Sequence, residues 1–218
     1  GIQLLGCGAL GGLAESPQGR AAVGRLGGID AVTEALLRHG TDEGVQEQGC
    51  RALQHVLSDP VNFDKVDSAK AAQALVGALQ QLQKHVRVQE HACGALAHLS
   101  LLAAGQVAQA GAVGCVVEAM WRHLCQPIVQ SHGCKMLRIL ATDPDTRELL
   151  PGPEAVAVVI EAMLLHDAHE GVQVQGCGAL SALTHSQRNC TKMARGGAAA
   201  LAQQAMRQHP AASAVATD

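Results

Sequence analysis

Polar and apolar positions in residues 45–57, VQEQGCRALQHVL, sort onto two faces of one helix. Val45, Gly49, Ala52, Leu53 and Val56 recur at i, i+3 and i+4 spacing, with Cys50 and Leu57 beside them, and mark the buried side. Residues 47, 51 and 55 share the opposite stripe. The same pattern appears at Ile2–Leu13 (IQLLGCGALGGL), Val88–Leu99 (VQEHACGALAHL), Val129–Leu140 (VQSHGCKMLRIL) and Val172–Leu183 (VQVQGCGALSAL). Each copy has Val or Ile, then Gln, a small residue, Cys, and Leu three residues after the Cys. The cysteines fall at Cys7, Cys50, Cys93, Cys134 and Cys177, in steps of 43, 43, 41 and 43 residues. A fixed period in that range marks a stacked helical repeat.

Between these helices the pattern predicts two more per unit. Ser16-Pro17 opens a short first helix over about residues 17–25, Ser as N-cap and Pro at the first helical position. Gly27-Gly28 breaks it, and Ile29, Val32, Ala35 and Leu36 mark a second helix that closes at His39-Gly40. The punctuation recurs at Asp59-Pro60 and Asp143-Pro144, is reduced to Ser186 in the last unit, and fails at Leu102. The glycine break recurs at Gly111 and at Gly196-Gly197. The expected organisation is one solenoid over residues 1–208: a partial repeat 1–14, repeats 16–57, 59–100, 101–141 and 143–184, a partial repeat 186–208, and a loose tail 209–218.

Three helices per unit, a glycine break before the second, and V-Q-x-x-G/A-C-x-A-L-x-x-L in the third together resemble the armadillo repeat. The resemblance covers essentially the whole chain. It implies an all-α, right-handed α-α superhelix whose third helices line a concave groove for an extended peptide or a partner protein. Truncated units at both ends leave apolar faces that neighbouring repeats would cover, so the ends are expected to be the weakest part.

Composition fits an interior of closely packed helices. Trp121 and Phe63 are the only aromatic residues among 218. A net charge of −3 gives no basic footprint for nucleic acid, and so few aromatics leave nothing to stack on bases. No run approaches the ~18 continuous apolar residues of a membrane span. Equivalent positions in stacked helices lie roughly 8–10 Å apart, too far for a disulfide, which needs Cα atoms within about 7 Å. The repeated cysteines therefore read as small buried residues of a reducing compartment, the cytoplasm first and the nucleus second. The chain begins with Gly, inside a repeat, which suggests a piece of a longer protein. A monomer is expected unless the truncated ends associate.

Across the repeats, the groove-facing stripe reads Leu4, Gly8, Gly12; Glu47, Arg51, His55; Glu90, Gly94, His98; Ser131, Lys135, Ile139; and Val174, Gly178, Ala182. Nuclear-import adaptors of the armadillo family carry Trp and Asn at two of these positions to clamp a basic peptide. Neither residue occurs at them here, which argues against a transport receptor. The stripe instead offers Arg51, His55, His98 and Lys135, a mildly basic strip for an acidic or phosphorylated segment, flanked by Glu47, Glu90 and Ser131. The plainer reading is solvated side chains, with Arg51 paired to Glu47. The repeated Gln3, Gln46, Gln89, Gln130 and Gln173 stand near helix starts, where backbone groups lack partners; a structural bond to the adjacent loop or the next repeat is expected.

No chemistry-bearing motif accompanies the repeats. His166-Asp167-Ala168-His169-Glu170 is the densest polar cluster, but no Cys or further His stands at zinc-ligand spacing. His123 and Cys125 are an equally weak pair. Asn189-Cys190-Thr191 matches the glycosylation sequon in form only. Trp121, at the end of a second helix, reads as a core filler. No nucleophile elbow or phosphate loop appears. The expected function is a non-catalytic scaffold or adaptor without cofactor or metal, binding protein or extended peptide. The alternative is the regulatory or substrate-recruiting arm of a larger enzyme, a kinase or a ubiquitin ligase.

Overall fold

A computed structural model describes residues 1–210, which contain helices and no strands. In chain order they are α1 (Ile2–Leu13), α2 (Pro17–Arg25), α3 (Gly28–Arg38), α4 (Glu43–Leu57), α5 (Ser68–Gln81), α6 (Val86–Gln109), α7 (Ala112–Arg122), α8 (Pro127–Thr142), α9 (Gly152–Leu165), α10 (Glu170–Ala182), α11 (Gln187–Arg195) and α12 (Ala198–Gln208). The chain divides into two compact units, Gly1–Cys115 and the residues from Val116 on.

In the first unit the third helices α1, α4 and α6 pack in sequence, with α3 against α4 and α5 against α6. Cys7, Cys50 and Cys93 are buried at the same position of these helices, as are Ala52, Leu53, Leu57, Leu96 and Leu99. In the second unit α8 packs on α10, and α9 on α10 and α11. Cys134 is buried in the same slot of α8, while Cys177 in α10 is only half-buried. Small residues allow the close approach. A Cβ on Gly133 would lie 2.4 Å from Met120 Sδ, and one on Gly176 would lie 2.6 Å from Met163 Cγ. The second-helix Leu or Met therefore seats directly against the third-helix backbone.

The short first helix varies with its punctuation. Ser16 caps α2 by accepting from the Gly19 amide, and Pro17 fills its first turn. After Asp59-Pro60 the segment is a 3₁₀ helix, Pro60–Lys65, and after Asp143-Pro144 only Arg147–Leu149. Where the Ser/Asp-Pro stop is missing, α6 runs on from a third helix into the following first helix, broken only at Ala103 (φ −145°, ψ 57°). The break before the second helix needs a left-handed residue, supplied by Gly27 (φ 75°) and Gly197 (φ 72°).

Of the tail, residues 211–218 lie outside the described residues. His209 is placed: it ends α12, and its Nε2 lies 2.9 Å from the Asp167 carbonyl. No single helix among the described residues is long and apolar enough to cross a membrane.

Candidate binding faces

The four internal glutamines make one repeated contact. Gln46 Nε2 donates to the carbonyls of Leu36 (2.7 Å) and His39 (3.0 Å). Gln89 donates to Leu79 and Leu82, Gln130 to Met120 and His123, and Gln173 to Met163 and His166. Each amide thus caps the C-terminal end of the second helix just before it, satisfying carbonyls that the helix leaves open. Gln3 makes no such contact among the described residues and is exposed.

The histidines that invited a metal reading serve the same joints. His85 Nδ1 accepts from the Val88 amide and His169 Nδ1 from the Val172 amide, as Asp42 does for Val45. His166 Nε2 lies 2.7 Å from the Leu124 carbonyl, the contact that His209 repeats one unit later. Among the described residues no three His, Cys, Asp or Glu side chains are grouped to hold a metal ion. A second ladder escaped the sequence reading. Asn62, Thr146 and Asn189 donate to the carbonyls of Val56, Leu140 and Leu183, closing the end of each preceding third helix. Their common place, twelve residues after the repeated Cys, is legible in the sequence once the three residue types are read as one polar slot.

The third-helix stripe is less open than its residue types suggest. Arg51 pairs with Glu15 at 3.5 Å, not with Glu47 as expected: its guanidinium reaches over to α1, with Nη2 3.5 Å from where a Cβ on Gly11 would stand, and to Glu15 just beyond that helix. Glu47 faces His85 instead, at 3.8 Å. His55 Nδ1 lies 3.3 Å from the Gly11 carbonyl. Glu90 is 8% exposed and accepts from Arg87 at 2.9 Å. His98 is half-buried and has an interaction partner. In the first unit Glu47, Arg51 and Glu90 are thus answered within the unit.

The second unit differs. Lys135 on α8 has neither an ion pair nor a side-chain hydrogen bond among the described residues, and Arg138, one turn along, likewise has no partner. The Arg138 stem lies across Gly178 of α10, where a Cβ would meet its Cδ at 2.4 Å, and its Nε is buried and unbonded. Burial first, then the charge of Arg138, hold the Lys135 ammonium below its ordinary range. Burial, with Lys135 second, holds the neighbouring His132 imidazole down to about 4. No acidic residue occurs in α8. Ser131 stands one turn before Lys135, near Gly171. The sequence reading missed Arg138 because it lies one step off the 131, 135, 139 register.

Elsewhere the thiols are inert as nucleophiles. Burial pushes Cys93 and Cys134 up to about 12 and Cys50 higher still, each reinforced by a neighbouring cysteine, so all three stay protonated at neutral pH. Trp121, expected in the core, is 39% exposed, because Met120 takes the inward slot.

A family model described as the LRRK2 ARM repeat matches residues 24–208. No curated protein and no solved structure matches the chain.

Proposed function

Because the chain belongs to the LRRK2 ARM repeat family, an α-solenoid family of protein-interaction type, we propose that it is a non-catalytic binding module that takes an acidic or phosphorylated protein segment on its third-helix faces. The observation that carries this reading is the pair Lys135 and Arg138: two cations, partly withdrawn from water, adjacent on one helix and unanswered by any carboxylate among the described residues. Two like charges one turn apart destabilise each other, and desolvation adds to the cost. A carboxylate or phosphate between them relieves both terms through charge-assisted hydrogen bonds. The stripe of the first unit, where Glu15 answers Arg51 and Arg87 answers Glu90, contributes shape and hydrogen bonds more than charge.

Fluorescence anisotropy tests this with an acidic peptide, its phosphoserine counterpart and a basic peptide of equal length. The two anionic peptides bind, and replacing Lys135 and Arg138 by Ala weakens them about tenfold or more, as expected for loss of charge-assisted bonds. Preference for the basic peptide, or affinity unchanged in the double variant, overturns the reading. The family takes its name from a kinase, which favours as a second reading that the module recruits or regulates on behalf of a larger enzyme. Turnover by the isolated module contradicts both readings.

A further inference from the structure

The second helices α3, α5, α7 and α9 each end on a buried Leu or Met: Leu36, Leu79, Met120 and Met163, at most 2% exposed. The two residues after each of these are exposed. In the first unit they are Leu37-Arg38 and Gln80-Gln81; in the second they are Trp121-Arg122 and Leu164-Leu165. The chain's one Trp therefore stands outward at 39% exposure, with Leu164 and Leu165 more exposed still. His166 Nε2 lies 2.7 Å from the Leu124 carbonyl, so the ends of α7 and α9 that carry these side chains lie side by side. Contiguous exposed apolar side chains with a Trp among them mark an interaction surface.

The charges beside the patch say what covers it. Two residues before the buried Leu or Met stands Glu34 in α3, Glu118 in α7 and Glu161 in α9. Glu34 pairs with Arg38 and Glu118 with Arg122, each four residues on. At the same spacing Glu161 meets Leu165 instead. Glu161 is exposed and has no ion pair among the described residues. Glu154, two turns earlier on the same stripe of α9, is likewise exposed and has none.

We propose that α7 and α9 together dock a basic amphipathic helix of a partner protein. Its apolar side covers Trp121, Leu164 and Leu165. A Lys or Arg on its flank takes the place beside Glu161 that Arg38 holds beside Glu34 and Arg122 beside Glu118. The two halves of the patch stand about one interhelix distance apart, roughly 8–10 Å, a span that residues i and i+7 of a docked helix bridge. Residues 211–218, AASAVATD, contain no Lys or Arg and so cannot supply the cation from within this chain. The surface lies on second helices and the Lys135–Arg138 pair on a third, so this inference is independent of the anion-binding reading.

Trp121 is the only Trp, so its emission reads this surface directly in the whole chain. The probes are a synthetic helix of Leu and Lys, with Leu at i, i+3, i+4 and i+7, and its Leu/Glu counterpart. The Leu/Lys helix should shift Trp121 emission to the blue and shield it from acrylamide, and the Leu/Glu helix should do neither. Glu161→Lys should lower affinity for the Leu/Lys helix about tenfold or more, the loss expected for one charge-assisted bond. Leu164→Ser should weaken binding while keeping the preference for Lys over Glu. Both positions are exposed, so the fold, checked by circular dichroism, is retained. No response to the Leu/Lys helix, an equal response to both helices, or affinity unchanged in Glu161→Lys overturns the proposal. So does a stronger response to phosphatidylcholine vesicles, or a Trp121 already shielded from acrylamide in the free chain.

Discussion

The third helices of the two units share a buried face and diverge on the exposed one. α4 and α8 present the same Val, Gln, Gly, Cys and Leu inward, and Gln46 and Gln130 cap the same pair of carbonyls. Outward, Arg51 rests on Glu15, whereas Lys135 and Arg138 have only each other. The inward face is pinned by close packing and by carbonyls that must be satisfied, so little can change there. The outward face carries no such constraint, and that is where the proposed partner would bind.

The largest effects should fall on what the units share. Gln89→Leu in the first unit and Gln130→Leu in the second each leave two carbonyls without their amide, and each should cost about 2–4 kcal/mol, read by chemical denaturation. A loss confined to one unit would break the equivalence.

Acid should separate the units next. His132 titrates at about 4 in the folded chain against an ordinary 6.5. Between those values the unfolded chain binds a proton that the folded chain refuses, so stability is intact above the window and falls as pH drops through it, by about 2 kcal/mol at pH 5. Hydrogen exchange should show this loss in the second unit, and His132→Gln should flatten it.

The smallest effects have opposite signs. Arg51→Ala removes an ion pair with a largely exposed Glu15 and should cost under about 1 kcal/mol. Lys135→Met keeps the alkyl stem, removes the repulsion from Arg138, and should raise stability by a few tenths of a kcal/mol. Equal signs in the two units would show that Lys135 has a partner after all.

The repeat was legible because its constraints are periodic. Cysteine spacing, Gln before the small-residue pair, and Ser/Asp-Pro punctuation each report a local requirement of a helix end or a packed slot. Bond partners were not legible, because they depend on how far a side chain leans across to the next helix. Arg51 passes over Gly11 to reach Glu15, and no spacing rule within α4 could choose that carboxylate over Glu47. Arg138, one step off the 131, 135, 139 register, was hidden too, since where its stem runs depends on Gly178, forty residues further on. The first helix was legible at Pro17–Arg25, but its winding elsewhere escaped, since whether Pro60–Lys65 winds as 3₁₀ or α turns on small differences at a helix end.

The most direct test of the anion grip is an NMR titration of the Lys135 side chain, alone and with the phosphoserine peptide. Alone, its pKa should lie below the ordinary 10.5. With the peptide bound it should rise back to that value or above, because a neighbouring anion favours the charged form. A pKa that does not move when the peptide binds would contradict the account.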